Sequence, residues 1–130
     1  MPFSITTTRE FAAAHALRLY DGSLEPLHGH NWRVEVTVSA SQLDPIGVVM
    51  DFHELERLVD SVIKPWHNRH LNEVSPFFRA GEMVINTSTE NVAMQIGKGM
   101  SDGLPSGVRL ERVDVWETAT NRASYFPQVA

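Results

Sequence analysis

The chain has 130 residues, of which 42% are hydrophobic and 21% charged, and this length and composition fit one globular domain, residues 1–130, with a substantial core. Sixteen acidic and eleven basic residues give a formal net charge of -5, which argues against nucleic-acid binding but allows a small anionic ligand in a locally basic pocket. The absence of cysteine excludes disulfides, thiolate metal ligands and a cysteine nucleophile. No apolar stretch reaches the length of a signal-peptide core or a membrane span, so we expect a cytoplasmic protein that contacts no membrane.

The first half of the chain predicts two strands and a helix. Phe3 to Ala14 is rich in β-branched residues, which favour strands. Asn31 to Val38 alternates apolar and polar side chains, the pattern of a half-buried antiparallel strand. Asp51 can cap a helix whose apolar residues recur at helical spacing until Pro65 ends it.

The second half predicts a helix and two more strands. Residues 66–87 show no regular period. Ser88 or Thr89 can cap a helix that runs to about Gly103. Val108 to Glu117 alternates again, and Ser124 to Phe126 forms a short final strand. The order is ββααββ, so we expect an α+β fold with a four-stranded antiparallel sheet and two helices on one of its faces.

The segment LEPLHGHN places two histidines just before the second strand. Side chains two apart on an extended chain share a face, so His28 and His30 can approach one cation together. Antiparallel pairing of the first two strands brings His15 beside them. Three imidazoles with an open fourth position match a catalytic zinc site. The alternative for H-x-H alone is a surface turn, and the third histidine argues against it.

Five segments carry a family resemblance: FAAAH (11–15), HGHNW (28–32), VTVSASQLDPIGVVMDF (36–52), STEN (88–91) and VWET (115–118). In this order they resemble the 6-pyruvoyl-tetrahydropterin synthase / 6-carboxy-tetrahydropterin synthase family over almost the whole chain. The resemblance implies a tunnelling fold (T-fold). Three ββααββ subunits would close their sheets into a barrel, and two such trimers would stack into a homohexamer.

The resemblance also implies site residues. A zinc ion would lie on the three histidines, with active sites at subunit interfaces. Glu117 would anchor the pterin ring, because a carboxylate only accepts hydrogen bonds and the pterin edge presents adjacent donors. Ser88 and Thr89 would line the same pocket. Without the resemblance, Glu117 would be interpreted as an exposed charge at a strand end. The hydroxyls of Ser88 and Thr89 would be interpreted as helix caps.

The chain departs from the family at the catalytic base. The synthases usually carry a cysteine a few residues before HGH, and this chain has none. Instead Glu25 gives E-x-x-H-G-H, which resembles the subgroup in which glutamate replaces that cysteine. That subgroup shortens the side chain of dihydroneopterin triphosphate to give 6-hydroxymethyl-7,8-dihydropterin. We therefore expect Glu25 to act as the base; the alternative is a solvated loop acid.

A second departure concerns proton relay. The family pattern L-D-H-x-x-L-[ND] corresponds here to WHNRHLN, residues 66–72. His67 takes the place of the aspartate and Asn68 that of the histidine, and an amide cannot exchange protons in the working range. Either His67, which we prefer, or His70 supplies the missing imidazole, or the relay is lost. Both histidines are also compatible with a surface loop.

Two functions follow from the sequence. The first is a zinc-dependent pterin lyase acting on the side chain of dihydroneopterin or its triphosphate, with 6-carboxy- or 6-pyruvoyl-tetrahydropterin synthesis as the alternative enzymatic activity. The second is a zinc- and pterin-binding protein without catalysis. Glu25 separates them, because a binding protein has no evident need for a carboxylate at that spacing.

Overall fold

The computed structural model describes residues 1–128, and within them the strands form one five-stranded sheet and a separate two-stranded hairpin. In chain order the strands are β1 (Phe3–His15), β2 (His28–Ala40), β3 (Arg69–His70), β4 (Phe78–Arg79), β5 (Glu82–Met83), β6 (Val108–Trp116) and β7 (Arg122–Tyr125). The sheet has the order β3-β1-β2-β6-β7, and β4 pairs with β5.

The antiparallel pairing of the long strands fixes where their ends meet. β1 and β2 pair over their full length, from Phe3 opposite Ala40 to His15 opposite His28. β2 pairs antiparallel with β6, and β6 with β7. Consequently the end of β1, the start of β2, the end of β6 and the start of β7 all lie at one end of the sheet. The predicted α+β architecture is confirmed.

Two helices pack on one face of the sheet, and both begin at the predicted caps. The α1 helix (Phe52–Ile63) follows Asp51, whose side chain accepts a hydrogen bond from the His53 N–H at 2.8 Å. The α2 helix (Thr89–Met100) follows Ser88, whose hydroxyl accepts from the Asn91 N–H at 3.1 Å. Within residues 1–128, no helix is both long enough and apolar enough to cross a bilayer.

The core lies between this face of the sheet and the helices. Alternate residues of β2 and β6 point into it, together with the apolar faces of the helices, and all of the following are buried: Trp32, Val34, Val36, Val38, Leu55, Val59, Val92, Ile96, Val113 and Val115. Burying each such side chain contributes about 1.5–3 kcal/mol. The same alternation, followed to the strand ends, places His15, His28 and His30 on the helix-facing side of the sheet.

Two local expectations need correction. The segment between α1 and α2 contains short regular elements: 3₁₀ turns at Lys64–Trp66 and Leu71–Glu73, the β4–β5 hairpin, and β3. Because β3 pairs parallel with β1 at the sheet edge, the sheet has five strands and not the four antiparallel strands expected. The last strand is Arg122–Tyr125, two residues earlier than predicted at its start. Two-residue strands have no periodicity to detect, because their pairing partners lie far away in the sequence.

Candidate metal centre and active site

Three imidazoles converge at the strand ends. The Nε2 atoms of His15 and His28 are 3.1 Å apart, and each pair among His15, His28 and His30 has ring centroids 4.7–5.2 Å apart. Together with a carboxylate oxygen of Glu117, their ligand atoms lie within 4.8 Å of one another. The register of β1 against β2 produces this convergence, as the sequence predicted.

Main-chain carbonyls determine which ring nitrogen carries the hydrogen in two of these histidines. The Nδ1–H of His15 donates to the carbonyl of Thr87 at 2.7 Å, and the Nδ1–H of His28 donates to the carbonyl of Pro26 at 2.8 Å. A carbonyl oxygen only accepts, so both Nδ1 atoms must carry the proton in these contacts. In the neutral rings the two Nε2 lone pairs then face each other, an arrangement that a shared cation stabilises.

The third ring is also suited to a metal ion. His30 Nε2 is buried and has no hydrogen-bond partner within residues 1–128, although a Glu117 oxygen lies 3.1 Å away. Burial lowers the pKa of His30 below its usual value, and the nearby Glu117 charge opposes that shift without cancelling it. A neutral imidazole with a free lone pair is the form that binds metal.

Neutral imidazoles and a carboxylate form the donor set that a divalent metal such as zinc accepts. The residues therefore fit the metal that the family resemblance implies. Glu117 is closer to this centre than the sequence predicted, since its Oε1 lies 2.9 Å from His15 Nε2. In this position it can serve as a fourth ligand or, as predicted, accept hydrogen bonds from a substrate next to the metal.

Glu25 is held beside the metal ligands by the main chain of Leu17. Its carboxylate Oε1 accepts from the Leu17 N–H at 2.9 Å, and its own N–H donates to the Leu17 carbonyl at 2.9 Å. The same Oε1 lies 3.6 Å from His28 Nε2 and 3.9 Å from His15 Nε2. The carboxylate is about a quarter exposed (27%), so it faces both the metal centre and the space where a substrate would enter.

The start of α2 lies next to Glu117. Thr89 and Glu117 line one cavity of about 210 Å³, together with Glu90, Asn121, Arg122 and Ala123. Ser88 caps the helix with its hydroxyl, so its side chain already has a structural role. Thr89 and Glu117 thus lie on one cavity, and a contact of Thr89 with substrate stays a prediction.

The two candidate relay histidines lie apart from this centre. His67 is exposed, and its Nδ1 accepts a hydrogen bond from the Ala12 N–H at 3.1 Å, so it extends the edge pairing of β1. His70 pairs with Ala14 in β1, and the Ala14 side chain points to the opposite face of the sheet from its neighbour His15. The His70 side chain is therefore also directed to the face opposite the candidate metal ligands. His70 Nε2 is buried without a hydrogen-bond partner in residues 1–128, and His70 lines a cavity of about 580 Å³. Neither side chain hydrogen-bonds to the candidate metal ligands within residues 1–128, so the choice between the two histidines stays a prediction.

Two residues of the site carried no signal in the sequence. Thr87 orients His15 through its main-chain carbonyl, and Asn72 binds the main chain of Ala16 beside it. A carbonyl contact is available to any residue type, so no motif marks Thr87. Asn72 matches the last position of the family pattern, but the sequence suggested no role for it beyond aligning that pattern.

Comparisons with known proteins identify the family and the fold. The family described as 6-pyruvoyl tetrahydropterin synthase matches residues 4–128. A dihydroneopterin monophosphate aldolase from Pyrococcus furiosus is 36% identical over 107 residues, 82% of this chain and 82% of the relative. A 6-pyruvoyl tetrahydrobiopterin synthase from Poecilia reticulata is 33% identical over 135 residues, 93% of this chain and 88% of the relative. The structure of Caenorhabditis elegans 6-pyruvoyl tetrahydropterin synthase matches with a TM-score of 0.80 and 24% identity, covering 97% of this chain and 96% of that one.

Fold and site define a T-fold enzyme of the lyase class with a candidate metal centre at its strand ends. The chain belongs to the 6-pyruvoyl tetrahydropterin synthase family, as the sequence resemblance indicated. Members of this family are oligomeric, metal-dependent enzymes that process pterins.

Proposed function

We propose that the protein is a zinc-dependent lyase that cleaves the side chain of dihydroneopterin or one of its phosphate esters and gives 6-hydroxymethyl-7,8-dihydropterin. The observation that carries this proposal is the position of Glu25, whose carboxylate lies 3.6–3.9 Å from two imidazole nitrogens of the metal centre. The absence of cysteine leaves Glu25 as the base at this spacing. The Pyrococcus furiosus aldolase, whose name gives this type of activity, supports the assignment.

The residues of the chain suit a retro-aldol cleavage. Glu25 accepts the proton of the C2′ hydroxyl, and the oxygen electron pair forms the carbonyl of the departing aldehyde. The C1′–C2′ bond breaks, its electron pair passes to C1′ and into the adjacent C6=N5 imine, and C1′ is then reprotonated. A zinc ion on His15, His28 and His30 supplies Lewis acidity that makes the hydroxyl proton easier to remove. A positioned base contributes about 10²–10⁴-fold to the rate.

The pterin ring needs a separate anchor, and we assign this role to Glu117. Its carboxylate accepts from the donor edge of the ring, and charge-assisted hydrogen bonds of this kind contribute about 1.5–3 kcal/mol each. Thr89 lines the same cavity, and Ser88 directly precedes it in the chain. These two residues would complete the ring pocket.

The alternative activities have less support from the residues. Synthesis of 6-carboxy- or 6-pyruvoyl-tetrahydropterin, which the names of other relatives specify, needs more proton transfers than a retro-aldol step. The chain lacks the family cysteine and has Asn68 at the relay histidine. A zinc- and pterin-binding protein without catalysis leaves the anchoring of Glu25 by Leu17 unexplained.

We further propose a homohexamer built from two trimers. The sheet has two open edges, β3 and β7, and proteins seldom leave such edges uncovered. Closing three sheets edge to edge would cover both. Since His70 faces away from the metal centre of its own chain, any role in proton transfer would be at the centre of a neighbouring subunit. His67, which binds the β1 edge, is the second choice.

Product analysis tests the proposed function. Zinc-loaded protein is incubated separately with dihydroneopterin, its monophosphate and its triphosphate, and the pterins and aldehydes are separated by chromatography. We expect 6-hydroxymethyl-7,8-dihydropterin and an equimolar two-carbon aldehyde, free or phosphorylated, from at least one substrate. A tetrahydropterin product would instead support the synthase activity. No turnover of any of the three, with intact zinc and pterin binding, would support the binding protein.

A further inference from the structure

A buried asparagine side chain contacts the main chain next to the candidate metal ligand His15. Asn72, in the 3₁₀ turn after β3, is 7% exposed. Its Oδ1 accepts from the Ala16 N–H at 3.0 Å, and its Nδ2 donates to the Ala16 carbonyl at 2.8 Å. Ala16 is the residue after His15. The carboxamide therefore pairs with the end of β1 as a neighbouring strand would, at the point where the chain leaves the sheet.

Thr87 connects this amide to the ring of His15. Thr87 is fully buried, and its hydroxyl donates to Asn72 Oδ1 at 3.1 Å. Its carbonyl accepts from the Nδ1–H of His15 at 2.7 Å. The contacts form a closed circuit from His15 through Ala16, Asn72 and Thr87 back to His15. This circuit joins three separate parts of the chain: the end of β1, the turn after β3 and the residue before the α2 cap.

We infer that Asn72 is a positioning residue of the metal centre, acting on His15 through Ala16 and Thr87. Asn72 fixes the distance between the end of β1, which carries the His15 ring, and the Thr87 carbonyl. That carbonyl orients the ring and keeps the hydrogen on Nδ1. The partners of metal-binding histidines commonly affect metal affinity 10–100-fold. This inference rests on the metal site of the proposed function, but it concerns metal binding and not turnover.

The chemistry of the contact explains why an amide is suited to this position. Ala16 presents one donor and one acceptor, and an asparagine side chain offers the complementary pair. An aspartate keeps the oxygen that accepts from the Ala16 N–H and from the Thr87 hydroxyl, but its second oxygen would face the Ala16 carbonyl, and two acceptors in contact repel each other. Alanine removes these contacts and also the one that Nδ2 donates to Met83 Sδ at 3.2 Å. Among these three residues, only asparagine therefore satisfies both main-chain groups of Ala16.

The test measures zinc affinity of the purified protein by competition with a chelator at 25 °C, and the d–d absorption of Co²⁺ as a report on ligand geometry. We expect Asn72→Ala to weaken zinc binding 10–100-fold and to change the Co²⁺ spectrum. Val38→Ala is the control, because Val38 is fully buried near the other end of β2. It should lower the unfolding temperature and leave zinc affinity unchanged.

Two results would overturn the inference: wild-type affinity in Asn72→Ala, or an equal loss of affinity in Val38→Ala. If Asn72→Ala does not fold, Thr87→Val decides. It keeps the carbonyl and removes the hydroxyl that binds Asn72, so we expect a several-fold loss of affinity, and unchanged affinity would overturn the inference. Wild-type protein that binds no zinc would overturn the metal site itself. Zinc binding without lyase activity would contradict the proposed function and leave the role of Asn72 standing.

Discussion

Replacing Glu25 by glutamine tests the chemistry with little change in shape. Glutamine keeps a side-chain oxygen that can accept from the Leu17 N–H, so the 2.9 Å contact and the loop before His28 should persist. What disappears is the negative charge and the ability to take a proton. Loss of a positioned base costs about 10²–10⁴-fold in rate, which corresponds to about 3–5 kcal/mol in the activation barrier.

The expected effect falls on one kinetic constant. Glu25 lies outside the group of residues whose ligand atoms all lie within 4.8 Å of one another, which among residues 1–128 comprises the three histidines and Glu117. Glu25→Gln should therefore retain zinc and bind pterin with unchanged affinity, while kcat for side-chain cleavage falls at least a hundredfold. The assay is single-turnover cleavage of the substrate found active in the product analysis, with zinc content measured on the same samples.

The matched control is Glu82→Gln in β5, an exposed glutamate in the hairpin that is separate from the sheet carrying the candidate metal ligands. This variant makes the same chemical change and should cleave at the wild-type rate. Cleavage by Glu25→Gln at the wild-type rate would refute Glu25 as the base. Loss of zinc from Glu25→Gln would show instead that the carboxylate acts mainly by holding the metal centre together.

Four further outcomes follow from the site and the assembly. His15→Ala should lose stoichiometric zinc in elemental analysis, and full occupancy would contradict the three-histidine site. Glu117→Gln should weaken pterin binding at least tenfold in a fluorescence titration while zinc remains; loss of zinc would make Glu117 a fourth ligand. Light scattering should give a mass several times the 14.6 kDa of one chain, and a monomer at micromolar concentration would contradict the hexamer. Mixing Glu25→Gln with His70→Ala subunits, each nearly inactive alone, should restore activity if His70 serves a neighbouring centre, and no recovery after subunit exchange would exclude that role.

The elements whose apolar residues recur with a regular period could be predicted from the sequence. The alternation in Asn31 to Val38 and the caps at Asp51 and Ser88 located β2, α1 and α2, and pairing of the first two strands placed His15 beside His28. β3 escaped detection because two residues have no period and its partner is in β1. The choice between His67 and His70 stays a prediction, and only the register of β3 shows that His70 lies on the opposite face of the sheet from His15.

The residues of the candidate site also differ in whether the sequence could identify them. Residues proposed to touch metal or substrate, such as His30 and Glu25, have side chains whose chemistry suggests the role, so their type and spacing were informative. Thr87 acts on His15 through a carbonyl, and Asn72 binds main-chain groups of Ala16. Main-chain contacts depend on where distant segments meet and not on a motif, so only the folded chain reveals them.

The position of these groups also suggests how one scaffold serves different pterin reactions. The metal ligands belong to β1 and β2, and Glu117 directly follows β6, so their positions depend on the register of the buried sheet. Glu25 is different: it lies on the loop between β1 and β2, and its hydrogen bonds within residues 1–128 are made with the main chain of Leu17. A loop position can change its residue type, and shift along the chain, without disturbing strand pairing. On the proposed function, an exchange between cysteine and glutamate in this loop would change the reacting group and leave the proposed metal ligands and ring anchor in place.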